Sequence, residues 1–246
     1  MLPIGDENIP GRGLAYVTLA LIAINVLVFV FLQLPSDAFT YSWSVVPAEI
    51  TSGQDIVRRV DVDGGSFMLG DSPEPVYLTL LSAMFMHGGW LHLGGNMLFL
   101  YIFGDNVEHT LGTIPFLAFY LIAGVVASFA QILVDSTSLI PSLGASGAIA
   151  GVLGAYIVLF PSNRVLVYFF YNAVWVPALL VLGLWFVIQL VSGFGQIAVS
   201  QQASGGVAYM AHVGGFVAGL VVGFLARAML GSRLQERRAA RGYRGN

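Results

Sequence analysis

Long apolar runs separated by short polar segments make up most of the chain. Uncharged runs near the length of a membrane-spanning helix cover residues 14–34, 113–134, 143–160, 173–193 and 206–226. Because about 20 apolar residues cross the hydrocarbon core of a bilayer, each of these runs predicts one transmembrane helix.

A further apolar run, 76–104, is too long for one simple helix and is interrupted by Gly88-Gly89. Its first part, 76–87, is too short to cross a bilayer and predicts an interfacial or re-entrant segment. The second part, about 90–111, predicts another spanning helix with acidic residues near its end. The pattern therefore predicts an all-α integral membrane protein with six transmembrane helices.

Composition agrees with this fold class. The 246 residues are 57% hydrophobic and 9% charged, whereas a soluble domain carries about 25% charged residues. The net charge of −3 gives no support for nucleic-acid binding. The absence of cysteine excludes disulfides and thiolate metal sites.

The charge distribution predicts an orientation and a domain division. The chain from residue 227 onward is rich in arginine, and such ends stay in the cytoplasm. Six spans return to the starting side, so both termini are predicted to be cytoplasmic. We therefore expect a cytoplasmic N-terminal segment (1–13), a six-helix domain (14–231) and a basic cytoplasmic tail (232–246). Within the domain, residues 35–89 form an extracytoplasmic first loop with the interfacial segment.

Four polar side chains from three predicted spans fall at similar depth near the outer face. His92 and Asn96 lie one turn apart at the start of span two, and Ser146 begins span four. His212 lies about six residues into span six, roughly 9 Å down at the helical rise. Polar groups at such depth are costly and tend to be functional.

These residue types in this arrangement suggest acyl-transfer chemistry. A serine hydroxyl becomes a nucleophile when a neutral imidazole takes its proton, which assigns Ser146 and His212 to a catalytic dyad. No carboxylate lies in the outer half of either span, so packing must orient the histidine. His92 and Asn96 share a helix face and, with the Ser146 backbone N–H at a helix N-terminus, would donate to an oxyanion.

Glycine spacing predicts that spans four and six touch. Gly147 and Gly151 form one small-residue row, and Gly215, Gly219 and Gly223 form another. Small residues four apart let membrane helices approach closely. Such an approach would bring Ser146 Oγ within about 3 Å of a ring nitrogen of His212.

Each signal also has a purely structural explanation. A GxSG string in an apolar helix often marks packing glycines beside a serine that bonds to its own backbone. A single intramembrane histidine is more often a structural hydrogen-bonding group. It is the joint placement of the four polar residues that favours catalysis.

The other polar groups are predicted to have no part in the site. Asn25, Gln131 and Gln189 are expected not to converge on it, His87 is expected to be structural, and His109 is expected to be solvated at the cytoplasmic end of span two. A metal site is disfavoured because only three histidines could approach one another, without a nearby carboxylate. No cofactor is predicted.

Four motifs together resemble the bacterial rhomboids, a family of intramembrane serine proteases. They are HGGWLHLGGN (87–96), GDNVEHTLG (104–112), GASGAIAG (144–151) and AHVGGFVAG (211–219). The resemblance implies that Ser146 is the nucleophile, His212 the base, and His92 and Asn96 the oxyanion donors. It further implies a structural role for Glu108, and we assign the same role to the motif glycines, Gly144 among them.

The resemblance also implies an architecture and a setting. The fold would be the six-helix rhomboid bundle, with a short span four surrounded by the others and a first loop lying partly in the membrane. Span five and the cap loop before span six would gate substrate entry. The protein would be a multi-pass protein of the bacterial inner membrane, with transmembrane proteins as substrates and the lipid bilayer as its other partner.

The chain departs from the family pattern at two places. Where some members have a tyrosine that stacks on the catalytic histidine, this chain has Ala150, so another group must orient His212. The first loop has Arg58-Arg59 in place of the Trp-Arg pair of some members.

The sequence therefore predicts an intramembrane serine endopeptidase that cleaves in or next to transmembrane segments. One alternative is a non-catalytic scaffold or chaperone on the same fold, although such relatives lose the serine or histidine that this chain retains. The other alternative is a transporter, which would show repeats, discontinuous helices or a midplane ion site; none of these is visible in the sequence.

Overall fold

The computed structural model describes residues 2–9, 13–62, 65–198 and 207–242. The predicted cap loop before span six and the end of the basic tail lie outside the described residues. In chain order the elements are β1 (Leu2–Asp6), α1 (Tyr16–Val28, continued by a π-helical turn, Phe29–Gln33), α2 (Asp37–Ser42), α3 (Pro47–Ser52), β2 (Arg58–Val62), β3 (Gly65–Leu69), α4 (Thr79–Ser82, flanked by 3₁₀ turns), α5 (Trp90–Leu111), α6 (Thr113–Val134), α7 (Ser146–Leu159), β4 (Arg164–Phe169), β5 (Asn172–Pro177), α8 (Ala178–Ala198) and α9 (Tyr209–Gly242).

The chain is a mainly helical integral membrane protein, as predicted. Within the described residues, four helical stretches are long and apolar enough to cross a membrane: Tyr16–Gln33, Thr113–Val134, Ala178–Gly195 and Tyr209–Gly231. Two apolar helices are shorter, Val76–Phe85 and Ser146–Leu159. Helix α5 has the length of a span but carries Asp105 and Glu108, so a count of six spans stays a prediction.

Two small antiparallel sheets interrupt the helical architecture, and the hydrophobic pattern predicts neither of them. One has the strand order β1-β4-β5, and the other is the hairpin of β2 and β3 in the first loop. The prediction that span five begins at residue 173 is wrong, because residues 172–177 pair with β4 and α8 begins at Ala178. The periodicity of a short apolar run, even one rich in β-branched and aromatic residues, does not show whether the run forms a strand or a helix.

Helix α7 forms the centre of the bundle. Nearly every side chain from Gly147 to Leu159 is buried, and α5, α6 and α9 pack around it. A helix that is hydrophobic on all sides is stable only when it is enclosed. The short α7 is therefore held in place by its neighbours and presents its first residue, Ser146, at one end of the bundle.

Glycines bring α7 and α9 into backbone contact. A Cβ at Gly215 would overlap the carbonyl oxygen of Gly147, and a Cβ at Gly219 would overlap that of Gly151. Gly147 also faces α6, where its Cβ would lie 2.6 Å from the Cβ of Ala127. The two predicted glycine rows therefore meet, and they hold the first turns of α7 and α9 side by side.

A polar network ties the N-terminal segment to the opposite end of α7. The Tyr156 hydroxyl donates a hydrogen bond to the Asp6 carboxylate, and Asn106 Nδ2 donates to the same carboxylate at 2.7 Å. Asn163 Nδ2 donates to the Tyr156 hydroxyl and to the carbonyl of Glu7. Strand β1 is thereby attached both to the sheet and to the helices.

Candidate active site

Ser146 and His212 lie in direct contact. Ser146 is the first residue of α7, and His212 lies in the first turn of α9. The Ser146 Oγ–His212 Nε2 distance is 2.8 Å, which is hydrogen-bond distance. This contact follows from the glycine seam, the close approach of α7 and α9 at Gly147, Gly151, Gly215 and Gly219. Helices whose backbones touch bring the side chains of their first turns within reach of each other.

The second ring nitrogen of His212 contacts a residue that was predicted to lie elsewhere. Nδ1 is 2.7 Å from Oε1 of Gln189, a side chain on α8 that is only 8% exposed. The indole of Trp185, one turn earlier on α8, lies 5.7 Å from the imidazole between ring centroids. The prediction that Gln189 does not converge on the site is therefore wrong. Trp185 of α8 thus gives His212 an aromatic neighbour that Ala150 cannot provide.

His92 borders the serine across Gly144. A Cβ at Gly144 would lie 2.9 Å from His92 Nε2 and 3.6 Å from Ser146 Oγ, so these two groups flank the same backbone atom. Gly144 has a φ of +126°, a backbone conformation that residues other than glycine rarely adopt. The Gly88 N–H donates to His92 Nδ1 at 3.2 Å, which leaves Nε2 as the proton-bearing nitrogen of a neutral ring.

Asn96 lies one turn further along α5. It is 8% exposed, and its Nδ2 has no hydrogen-bond partner among the residues that the structure describes. Buried donors without a partner are rare in native proteins and call for an explanation. A ligand atom in the adjoining cavity would supply the missing acceptor.

One cavity of about 1030 Å³ joins these groups. Its lining includes Ser146, His212, His92 and Asn96, together with the apolar Trp185. The first turn of α7 has no side-chain cap, so its backbone N–H groups add donors and a partial positive charge beside Ser146. A hydroxyl, an imidazole and several donors thus face a common space large enough for a peptide segment.

Two other amides behave differently from each other. Asn25 donates to the carbonyl of Leu21 at 2.8 Å and stays apart from the cavity, as predicted. Gln131 lines the cavity, and its Oε1 accepts from the backbone N–H of Ala211 at 3.3 Å. The prediction that Gln131 does not converge is therefore also wrong, because it supports the residue next to His212.

Two further polar residues of the motifs, His87 and Glu108, are buried against neighbouring elements. The ring of His87 is 2% exposed and packs edge-on against His92, with 5.1 Å between centroids. The Glu108 carboxylate accepts from the backbone N–H groups of Val17 and Thr18, at 3.0 and 2.8 Å. These are donors in the first turn of α1, which a helix cannot satisfy internally. Among the described residues, no group of three or more acidic or histidine side chains is placed to hold a metal ion.

Comparison with known proteins shows which protein family this chain resembles. The family model described as "Rhomboid domain" matches residues 74–229. The chain is similar to "Rhomboid protein 1, mitochondrial" of Saccharomyces cerevisiae, with 29% identity over 91% of this chain and 57% of the relative. It is 36% identical to "RHOMBOID-like protein 5" of Arabidopsis thaliana, over 59% of this chain and 43% of that protein.

A bacterial relative is "Rhomboid protease GluP" of Bacillus subtilis, 36% identical over 62% of this chain and 26% of its own length. The chain therefore spans between about a quarter and about three-fifths of the length of these three relatives.

Proposed function

Because the chain belongs to the rhomboid family, we propose that it is an intramembrane serine endopeptidase. It hydrolyses peptide bonds in or next to transmembrane segments of other membrane proteins. The observation that carries this proposal is the 2.8 Å contact between Ser146 Oγ and His212 Nε2 at the edge of a cavity. Similarity to a protein that is itself named a protease supports it.

In this mechanism Ser146 Oγ attacks the carbonyl carbon of the scissile peptide while His212 Nε2 takes the hydroxyl proton. The tetrahedral intermediate collapses, the carbon–nitrogen bond breaks, and His212 gives the proton to the leaving amine. Water then attacks the acyl-enzyme with His212 again acting as base. The carboxyl product leaves, and Ser146 regains its proton.

We assign oxyanion stabilisation to His92, Asn96 and the backbone N–H of Ser146. The Nε2–H of His92 and the unpartnered Nδ2 of Asn96 are donors at the same cavity. Donors held in place before charge develops need no reorganisation in the transition state, and their loss typically costs 10²–10³ in rate in a soluble protease.

Hydrolysis also requires water at Ser146, and the cavity is the route that we propose for it. A substrate helix shields its peptide groups through its own hydrogen bonds and must unwind before it reaches Ser146. We therefore propose that substrates carry glycine or other helix-weakening residues near the cleavage site.

The orientation is part of the proposal. The arginine-rich C-terminal end supports cytoplasmic termini, which places Ser146 towards the extracytoplasmic side.

Cysteine labelling tests this orientation. Ser72 in the first loop is 9% exposed and bonds to Glu49, so it is unsuitable as a labelling site. An introduced cysteine at Asp61, whose side chain is 85% exposed, should react with an impermeant reagent from outside. One at Ser162, in the exposed turn after α7, should not.

For the compartment, we propose the bacterial cell membrane, supported by the similarity to the Bacillus protein. The yeast relative is named as mitochondrial, which makes an organelle membrane the alternative. Localisation of the tagged chain in its native cell, by fractionation and protease protection, decides between them.

The direct test is cleavage by the purified chain in liposomes. A panel of single-span substrates with glycine near the outer end should be cut, and mass spectrometry should place the cut near that end. Ser146→Ala should give no product. A wild-type chain that binds such segments without cutting any of them would instead be a scaffold on the same fold.

A further inference from the structure

We propose that Gln189 is a positioning residue for His212, completing a Ser–His–Gln arrangement in a site that sequence motifs present as a dyad. This inference rests on the proposed function and names one more residue in the same site. It stands on the 2.7 Å contact between Gln189 Oε1 and His212 Nδ1.

The chemistry of the base requires such a partner. For Nε2 to take the proton from Ser146, the neutral imidazole must carry its own proton on Nδ1. The tautomer of a histidine is set by the hydrogen bond that its other nitrogen makes. Gln189 Oε1 accepts from Nδ1–H, so it holds the ring in the tautomer and the orientation that keep Nε2 directed at Ser146. The same bond persists when the ring becomes doubly protonated during the reaction, since Nδ1 remains a donor.

The surroundings of Gln189 support a specific role. The side chain is 8% exposed and lies on a helix with the length and hydropathy of a membrane span. An amide there is costly without hydrogen bonds, and a leucine would satisfy packing alone. Trp185 precedes it by one helical turn and packs against the imidazole. The two side chains occupy one face of α8 and contact two sides of the same ring.

The position of Gln189 on α8 has a mechanistic consequence. Ser146 lies on α7 and His212 on α9, helices locked together through glycine backbones, whereas the orienting group comes from a third helix. Phe186, on the same helix as Gln189, stacks on Phe216 of α9 with 4.3 Å between centroids. The base is therefore fully oriented only while α8 is seated against α9.

The test compares three variants at position 189 with a control on the same helix. Gln189→Met keeps the length and removes the acceptor. Gln189→Glu keeps an acceptor at the same reach, and Gln189→Asn keeps the amide but shortens it by one methylene. Val191→Met is the control, because Val191 is 68% exposed and faces away from the bundle.

We expect kcat to fall on the order of 10²-fold in Gln189→Met with KM nearly unchanged, less than the ~10⁴-fold loss seen when a charged orienting residue is replaced in a soluble triad. Gln189→Glu should recover most of the rate, Gln189→Asn should not, and Val191→Met should match the wild type. The rate of Ser146 labelling by a small fluorophosphonate should follow the same order, since that reagent needs no entry of a substrate helix.

Distinct outcomes separate this inference from the proposed function. A wild-type chain that neither cleaves nor labels would overturn both. Wild-type activity lost in Ser146→Ala but undiminished in Gln189→Met would overturn only the role of Gln189. If Gln189→Met does not fold, as judged by its melting temperature, the Glu and Asn variants decide. Equal rates for those two would overturn the role.

Discussion

The polar side chains at the two ends of α7 differ in their hydrogen bonding. At the first end, Ser146 and His212 face an open cavity, and Asn96 Nδ2 has no partner among the described residues. At the other end, the Tyr156 hydroxyl and the Asp6 carboxylate belong to a network that connects four segments of the chain. A buried polar group without a partner costs about 1–3 kcal/mol, so the first end carries a cost that the second avoids.

This difference suggests a division of roles along one short helix. The groups left available are those that would bond to the transition state in the proposed mechanism, and the groups around Tyr156 hold the bundle together. Substitutions at the Ser146 end should therefore change rate without changing stability, and substitutions at the Tyr156 end should do the reverse.

The sharpest test at the Ser146 end is removal of the dyad. Ser146→Ala and His212→Ala should each abolish cleavage and leave the melting temperature within a few degrees of the wild type. Because residues that act as a unit are non-additive, the double variant should be no worse than either single one. Ser128→Ala is the matched control, since the hydroxyl of Ser128 donates to the Gly124 carbonyl on its own helix. Residual cleavage by purified Ser146→Ala would contradict the mechanism.

The next largest effect should come from the seam between α7 and α9. Gly215→Leu places a side chain where Gly147 has its carbonyl oxygen, so the helices must separate and carry His212 away from Ser146. A displacement of about 1 Å can cost roughly 10²-fold in rate. Gly215→Leu should therefore lose cleavage activity while its helical content, measured by circular dichroism, stays close to that of the wild type. Gly183→Leu is the control, because a Cβ at Gly183 meets nothing within 4 Å; equal activity in both variants would contradict the seam.

A smaller change in rate is expected from the oxyanion donors. Asn96→Ala removes a donor that has no other partner, so kcat should drop by about 10- to 100-fold, below the usual loss because His92 remains. KM should stay nearly constant. Gly94→Ala, at an exposed position of α5 that does not line the cavity, controls for added volume on α5. An effect of Asn96→Ala confined to KM would make Asn96 a substrate-binding residue.

The sequence predicted that four polar side chains lie together at the Ser146 end of α7, and they line one cavity; it did not predict the groups that surround them. Local motifs place Ser146, His212, His92 and Asn96 near helix starts, where depth can be counted from the ends of apolar runs. Gln189 belongs to none of the four motifs, and a long apolar run does not show which of its faces turns towards α9. Helix α8 also begins at Ala178, five residues later than predicted.

The Tyr156 end could not be predicted from the sequence. Asp6 and Tyr156 are 150 residues apart, and neither belongs to a local pattern that marks a pair. The strand pairing of β1 with β4 brings them together, and such pairing depends on the tertiary fold rather than on periodicity. A buried polar network is visible only when all of its members are placed.

At the Tyr156 end, Tyr156→Phe should change stability and spare activity. The substitution removes two hydrogen bonds, one to Asp6 and one from Asn163. Both groups keep a second partner, Asn106 and the Glu7 carbonyl, so the expected cost is the net value of the lost bonds, about 0.5–1.5 kcal/mol each. The melting temperature in detergent should fall by several degrees, while kcat at lower temperature stays near the wild-type value. Tyr101→Phe, on the exposed face of α5, should change neither. A large loss of kcat in Tyr156→Phe would show that the two ends are coupled.

The last prediction concerns the pH dependence that Asp6 gives to the Tyr156 end. Burial raises the pKa of the Asp6 carboxyl to about 7, and the nearby carboxylates of Asp105 and Glu7 add to the shift, while hydrogen bonds from Tyr156 and Asn106 oppose it. Between about pH 4 and pH 7 the folded chain therefore keeps a proton that the unfolded chain releases. The free energy of unfolding should fall as pH rises through this window, by roughly 4 kcal/mol at most.

Asp6→Asn removes this titration while keeping a side chain of the same shape, so its melting temperature should depend less on pH between 5 and 8. The melting temperature of Asp6→Asn relative to that of the wild type should be higher at pH 8 than at pH 5. At pH 8 the wild type holds a buried charge beside two other carboxylates. Asp37→Asn, at an exposed position in the first turn of α2, controls for the loss of one surface carboxylate. Parallel pH profiles for the wild type and Asp6→Asn would show that Asp6 is solvated in the membrane-embedded chain, and the contrast between the two ends of α7 would then rest on Tyr156 and Asn163 alone.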